Sequence, residues 1–182
     1  MTGFAPLDPA TATGQAADLL ADVQKSLGTT PNLAKVMANS PALLKGYLAL
    51  SGALADGALP VAVREQLAIA TAEHNGCEYC LSAHTFLGAT VAEVDADELE
   101  LARDAKSSDP HAQALLDLSD VVARSHGRVD DGTLRAARDA GATDAEIGEV
   151  VGHLALNTLT NYFAIMAGIA TDWPLVEPRR WV

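Results

Sequence analysis

Helix starts and stops recur along the whole chain, and strand-like alternation is hard to find in it. An apolar-periodic run over about 13–27 is closed by Gly28. Thr30-Pro31 opens a short second helix, with Thr as cap and Pro at the first helical position, where its missing N–H is no loss. Ser40-Pro41 repeats the signal and opens a helix to about Ala55, before Gly57. Pro60 opens the next, which runs to Asn75-Gly76, and another starts near Cys77 and ends at Gly88. Asp95 with Glu98 forms a capping pair for a short helix in an otherwise less regular acidic stretch. Asp109-Pro110 opens a helix to about Ser125, closed by Gly127, and Asp130 or Asp131 caps one ended by Gly141. Thr143-Asp-Ala-Glu146 is a capping box before a long apolar helix to about Ala170, with Trp173-Pro174 beyond its end and an irregular tail from Leu175. The pattern predicts an all-α, single-domain bundle of about eight helices spanning 1–182. A faint echo between Glu65–Gly88 and Glu146–Gly168 points to two related helical-hairpin halves.

Composition agrees. Alanine, the best helix former, fills roughly a fifth of the chain. The 24 acidic and 12 basic side chains give a net charge of −12. Phosphate contacts need a basic face, so nucleic acid is not an expected partner, and neither is an anionic membrane. No run of eighteen apolar residues occurs, and the first cation is Lys25, so neither a membrane span nor a secretory leader is expected. The expected location is the cytoplasm, where thiols stay reduced.

The chain has two cysteines, set as Cys77-Glu-Tyr-Cys80 and followed by Leu-Ser-Ala-His84. On a helix, positions 77, 80 and 84 share one face. The break at Gly76 puts Cys77 at the helix N-terminus, where unpaired N–H groups and the dipole favour a thiolate. The preceding helix carries Glu65 on a face with Val61, Ala68, Ile69 and Ala72. A carboxylate there needs a hydrogen-bond partner, and His84 is the natural one. An inert structural couple and a zinc site built from Cys77, Cys80, His84 and Glu65 are the competing readings. Closed zinc sites rarely use Glu, however, and no second CxxC or His pair is present. A lone CxxC beside a proton carrier suits thiol–disulfide chemistry. Which cysteine attacks stays open on these residues: the helix start favours Cys77, and i,i+4 proximity to His84 favours Cys80.

Glu65 and, twelve residues on, Cys77-x-x-Cys80-x-x-x-His84 resemble the alkylhydroperoxidase D-like group of the carboxymuconolactone decarboxylase family. The stretch from Ala155 through Asn161 to Phe163 resembles a segment of its longer, peroxidase-related members. The resemblance implies an all-helical subunit that assembles as a homo-oligomer, a trimer or a hexamer. It also implies an antioxidant peroxidase reducing hydrogen peroxide or alkyl hydroperoxides, without cofactor or metal, at the expense of a dithiol or protein reductant. It assigns Cys80 as the peroxidatic and Cys77 as the resolving cysteine, with Glu65 and His84 as proton relay. The best-known peroxidase of the family has a histidine just before the second cysteine, where this chain has Tyr79. The relay would then be Glu65 and His84 alone, which puts peroxidase strength in question.

Two other classes remain beside the peroxidase: a redox sensor that oxidises once without turnover, and a lactone decarboxylase-type enzyme, which would not need the cysteines. Elsewhere, His74 reads as a solvated or helix-capping residue. His111, Asp109 and Asp117 read as surface residues, and the acid run Glu93–Glu100 as a solvated face. His153 reads as a core histidine with its hydrogen bonds satisfied. Asn157 and Asn161, four apart on an apolar helix, read as helix-bridging or pocket-lining amides. Trp173 and Trp181, with Tyr162 and Phe163 upstream, read as anchors of an oligomer interface.

Overall fold

The computed structural model describes residues 4–179. Nine helices and no strand occur among the described residues. They are α1 (Gly14–Leu27), α2 (Asn32–Met37), α3 (Pro41–Ala55), α4 (Val61–Asn75), α5 (Glu78–Thr90), α6 (Ala96–Ala102), α7 (Pro110–Ser125), α8 (Asp131–Asp139) and α9 (Asp144–Ala167). The all-α expectation holds, and most ends fall where the punctuation puts them. Ser40, Asp109 and Asp130 cap α3, α7 and α8 by accepting the N–H of Leu43, Ala112 and Thr133. The Thr143–Glu146 capping box on α9 is complete.

Five of these readings change. Pro31, not Thr30, occupies the cap of α2, and the Thr30 hydroxyl instead donates to Gln24 Oε1 at 2.9 Å. Gly88 does not end α5, which continues to Thr90. It allows close approach instead: a Cβ there would lie 2.6 Å from Leu99 Cδ2 on α6. Asp95 caps α6 without a side-chain bond. Its expected partner Glu98 is occupied elsewhere, accepting from Ser107 Oγ at 2.7 Å, Ser108 N at 2.9 Å and Gln66 Nε2 at 3.1 Å. The acid run is therefore only partly a free solvated face, since Glu100 also pairs with Arg103 and Arg179. Finally, the echo is not a shared hairpin. Glu65–Gly88 spans α4, a break and α5, whereas Glu146–Gly168 is one helix ended by Gly168, because only the first block has a left-handed glycine in its middle.

Helices α4 and α9 run through the centre, and each contributes to two apolar clusters. One gathers Leu20, Val23, Met37, Leu44, Ile69, Leu81 and Ala164, together with both cysteines. The other gathers Val63, Leu67, Leu115, Leu116, Leu118 and Val150 from α4, α7 and α9. Each fully buried leucine contributes about 1.5–3 kcal/mol relative to exposure, so these clusters fix how α4, α5 and α9 meet. The α3–α4 turn is tied to α9 by Glu149, whose carboxylate accepts from Ala58 N at 2.8 Å and Leu59 N at 3.0 Å.

His111, expected as a plain surface residue, is a strut. Its Nδ1 donates to Ala140 O at 3.1 Å, and its Nε2 donates to Glu146 Oε1 at 2.9 Å. It thus joins the start of α7, the end of α8 and the capping box of α9. The Glu146 bond first, and the Ala140 carbonyl next, raise the His111 pKa above its ordinary value. The Thr143 N–H first, with His111 helping, lowers that of Glu146. A raised histidine stabilises fully below its unfolded pKa and loses the contribution as pH climbs through the folded one. A lowered carboxylate stabilises above its unfolded pKa and loses the contribution as pH falls through the folded one. The strut is therefore strongest near pH 5–6, between the ordinary carboxylate and imidazole values of about 4.3 and 6.5. Replacing His111→Gln should cost about 0.5–1 kcal/mol in urea unfolding at pH 5.5, as a partly exposed pair does, and clearly less at pH 9.

Candidate active site

The site begins at Gly76. Its φ of 68° ends α4 in the left-handed region, with Gly76 N–H donating to Glu73 O at 3.2 Å and Cys77 N–H to Ala72 O at 2.9 Å. The reversal makes Cys77 the N-cap of α5, where Ser or Asp is usual. Its sulfur takes the capping bond, accepting from Cys80 N at 3.3 Å. Both cysteines are free and buried. The two thiols differ in charge preference. Hydrogen bonding from the Cys80 thiol first, then the Cys80 amide and the His84 charge, holds the Cys77 thiol below its ordinary value against the opposing effect of burial. The Cys77 partner first, then burial, pushes the Cys80 thiol well up. The dithiol is therefore polarised toward Cys77.

Glu65 and His84 meet as expected. His84 Nδ1 lies 2.8 Å from Glu65 Oε2, with side chains 24% and 17% exposed. The pair brings α4 and α5 together beside the cysteines, and its half-open setting can pass a proton to solvent. Among the described residues, no group of three or more His, Cys, Asp and Glu side chains is arranged to hold a metal ion.

Tyr79 plays no relay role. Its hydroxyl donates to Asp172 Oδ2 at 2.8 Å and accepts from Leu33 N at 3.3 Å. Burial first, then Asp172, pushes its ionisation far up, so it keeps its proton. Trp173 packs edge-on against it, with ring centroids 5.4 Å apart. Trp173 is half-buried and completes the shell around Tyr79. Phe163 faces Phe4 at 6.0 Å, Tyr162 is exposed, and Trp181 lies outside the described residues. The C-terminal segment then crosses the outer side of the site: Val176 N donates to Ser82 Oγ at 2.9 Å, and Arg103 Nη2 donates to Glu177 O at 2.9 Å.

Helix α9 supplies residues the motif did not contain. His153, Asn157, Thr160 and Asn161 are all buried on one of its faces. Asn161 and Thr160 act against the rise in the Cys80 pKa. His153 is not the satisfied core histidine expected: its Nε2 is buried without a hydrogen-bond partner. Burial first, then Arg64, lowers its pKa, and Glu65 and His84 lie within reach of its charge. Tyr47 of α3 faces the same centre. Burial raises its pKa first, then the charges of Cys80 and Glu65. The offsets between 153, 157, 160 and 161 place these polar residues on one stripe, a signal for α9. Nothing local in α3 marks Tyr47. His74 stays half-buried in the last turn of α4.

Nine helices among the described residues, with a helix-capping cysteine and a Glu–His pair, are the features to set beside known proteins. Residues 41–123 match the model of the carboxymuconolactone decarboxylase family. No curated protein matches it by sequence. Among solved structures it is similar to the alkylhydroperoxidase AhpD core of an uncharacterized peroxidase-related protein from Ralstonia eutropha JMP134. The TM-score is 0.82 at 24% identity, covering 94% of this chain and 93% of that one. An uncharacterized peroxidase-related protein from Silicibacter sp. TM1040 gives 0.79 at 20% identity, covering 93% and 92%. The debrominase Bmp8 in complex with 2,3,4-tribromopyrrole gives 0.76 at 17% identity, covering 94% and 92%. These likenesses show the fold.

The left-handed turn is a stability test as well as a site element. Gly76→Ala should cost about 1–2 kcal/mol in urea unfolding, the penalty of an L residue in that region. Gly148→Ala, in an open position of α9 with nothing within 4 Å of a new Cβ, should instead gain about 0.5–1 kcal/mol.

Proposed function

We propose that the chain is a thiol-dependent oxidoreductase that reduces hydrogen peroxide or alkyl hydroperoxides through a Cys77–Cys80 dithiol–disulfide cycle. One observation carries the reading: two reduced cysteines one turn apart at a helix start, polarised toward Cys77, with the Glu65–His84 pair beside them. The Cys77 thiolate attacks one peroxide oxygen and the O–O bond breaks. The departing alkoxide or hydroxide takes a proton from the His84–Glu65 pair and leaves as alcohol or water, with Cys77 as the sulfenic acid. Cys80 then attacks that sulfur, its proton leaving with the hydroxyl as water, and the disulfide closes. A small dithiol or a protein reductant returns two electrons. The order is the reverse of the one the resemblance implies. It follows from where the first negative charge is best held.

A homo-oligomer belongs to the same proposal. Val151, Leu159, Tyr162, Ile165 and Met166 of α9 are exposed, a large apolar surface for a lone subunit. Light scattering should give a multiple of the subunit mass, a trimer or a hexamer, and Met166→Glu should lower it.

Steady-state peroxide consumption with excess dithiothreitol checks the chemistry. Wild type should turn over many times, while Cys77→Ser and Cys80→Ser should each lose at least about 100-fold, the scale of losing a reacting group. Only Cys80→Ser should accumulate sulfenic acid, trapped by dimedone on Cys77. Full activity in both variants contradicts the proposal. A single oxidation without turnover points instead to a redox sensor, and His84→Ala should slow turnover about 10²-fold.

A further inference from the structure

Cys77 and Cys80 are 1% and 2% exposed, so a reagent with the bulk of a dithiol meets them only after some segment moves. The C-terminal segment is placed to be that segment. Helix α9 runs parallel to α4: Glu149 accepts from Leu59 N at 3.0 Å just before α4 begins, and Asn161 Oδ1 accepts from Asn75 Nδ2 at 2.9 Å where α4 ends. Ala167, six residues past Asn161, lies about 9 Å further on at the rise of a helix. Helix α9 therefore overshoots the Gly76 corner before it ends at Gly168, whose φ is 61°. The irregular chain then turns back over the corner. Asp172 Oδ2 accepts from the Tyr79 hydroxyl at 2.8 Å and from Asn32 N at 2.9 Å, while Asn32 Nδ2 donates to Ala170 O at 3.2 Å. Further on, Val176 N donates to Ser82 Oγ at 2.9 Å, Glu177 O accepts from Arg103 Nη2 at 2.9 Å, and Arg179 N donates to Glu73 Oε1 at 2.5 Å. These ties fall on both sides of the reversal, at Glu73 three residues before Gly76 and at Tyr79 three after it. Beneath them, Ile169, Trp173 and Val176 pack against the apolar cluster that contains both cysteines.

We propose that residues 169–179 form a lid over the dithiol corner, which turns at Gly168 and lifts from its Tyr79 and Ser82 ties to admit a thiol reagent to Cys77 while the corner stays folded. The fastenings are of a kind that opens locally. Neither helix nor strand runs through 169–179, and the bonds to Asn32 and to Glu177 O are exposed. Segments held by solvent-exposed hydrogen bonds and few buried apolar contacts open at lower free energy than the whole fold. The corner underneath is the opposite case. Ala72, Cys77, Cys80 and Leu81 are all at most 2% exposed, and the Cys77 N–H is held by Ala72 O at 2.9 Å. For its purpose the lid rests on the dithiol–disulfide reading, because thiol–disulfide exchange depends on access to the sulfur attacked. It does not depend on peroxide as the oxidant.

The test is the rate of Cys77 alkylation by iodoacetamide in the reduced full chain, read by peptide mass spectrometry, beside hydrogen exchange of the Val176 amide. In wild type, labelling should be far slower than in the urea-unfolded chain, yet nearly independent of urea below the unfolding transition, as a local opening requires. Asp172→Ala removes the acceptor shared by Tyr79 and Asn32 and should speed labelling about tenfold. Ser82→Ala removes the acceptor of Val176 N and should speed it about fivefold. In Asp172→Ala the Val176 amide should exchange faster by the same factor as the labelling, because one opening exposes both. Wild-type labelling that climbs with urea along the global unfolding line, or that matches the unfolded chain, overturns the lid. So does labelling unchanged in both variants, or labelling that quickens without Val176 exchange. Should a variant fail to fold, the wild-type urea dependence decides alone. No peroxide enters the experiment. A chain that fails to consume peroxide but labels as expected keeps the lid and loses the peroxidase reading. A chain that consumes peroxide but labels only through global unfolding loses the lid alone.

Discussion

The site depends on one backbone reversal. Gly76 takes a left-handed conformation that an L side chain adopts only with strain. It ends α4 and starts α5 within two residues, so the first unpaired N–H groups of α5 face the sulfur of Cys77. A sulfur in the capping position has two consequences. It accepts the N–H that a serine or aspartate would otherwise take, and it sits at the positive end of the helix dipole. Cys80, one turn on, is then the donor to that sulfur. The same reversal folds α5 back along α4 and brings His84 to Glu65.

The remainder of the fold holds this corner in place. The apolar cluster that includes both cysteines also includes residues of α1, α2, α3, α6 and α9, so the dithiol is built into the core and not laid on it. Burial raises thiol pKa values, and the structure sets local donors against that cost unequally: at Cys77 they prevail, and at Cys80 they do not. Tyr79 lies between the two cysteines in sequence but is fastened on the outer side to Asp172 and the start of α2. Tyr79 is a structural tie between α5, α2 and the C-terminal segment.

How much of this the sequence contains follows from the range of each interaction. The helices were readable because caps and glycine stops act within four residues, as at Ser40, Asp109 and Thr143. The Glu65–His84 pair was readable because both lie on helices flanking one turn, with a buried carboxylate in need of a partner. Thr30 and Glu98 escape a cap-range reading because their side chains have partners more than four residues away, Gln24 in one case and Ser107, Ser108 and Gln66 in the other. Asn161 is legible as an amide on an apolar helix, but its bond to Asn75 spans 86 positions, which no local pattern reveals. Tyr47 and Asp172 join the site through helix packing and the return of the C-terminal segment. His111 looked like a surface residue because its two acceptors come from α8 and α9.

The account turns on a dithiol polarised toward the helix start. Separate titration of the two thiols in the reduced chain, by the pH dependence of the cysteine Cβ NMR shifts, tests it most directly. Cys77 should ionise below the ordinary thiol value of about 8.5, with Cys80 still protonated when Cys77 is fully charged. Ionisation of Cys80 first, or of both thiols together at the ordinary value, would contradict the account.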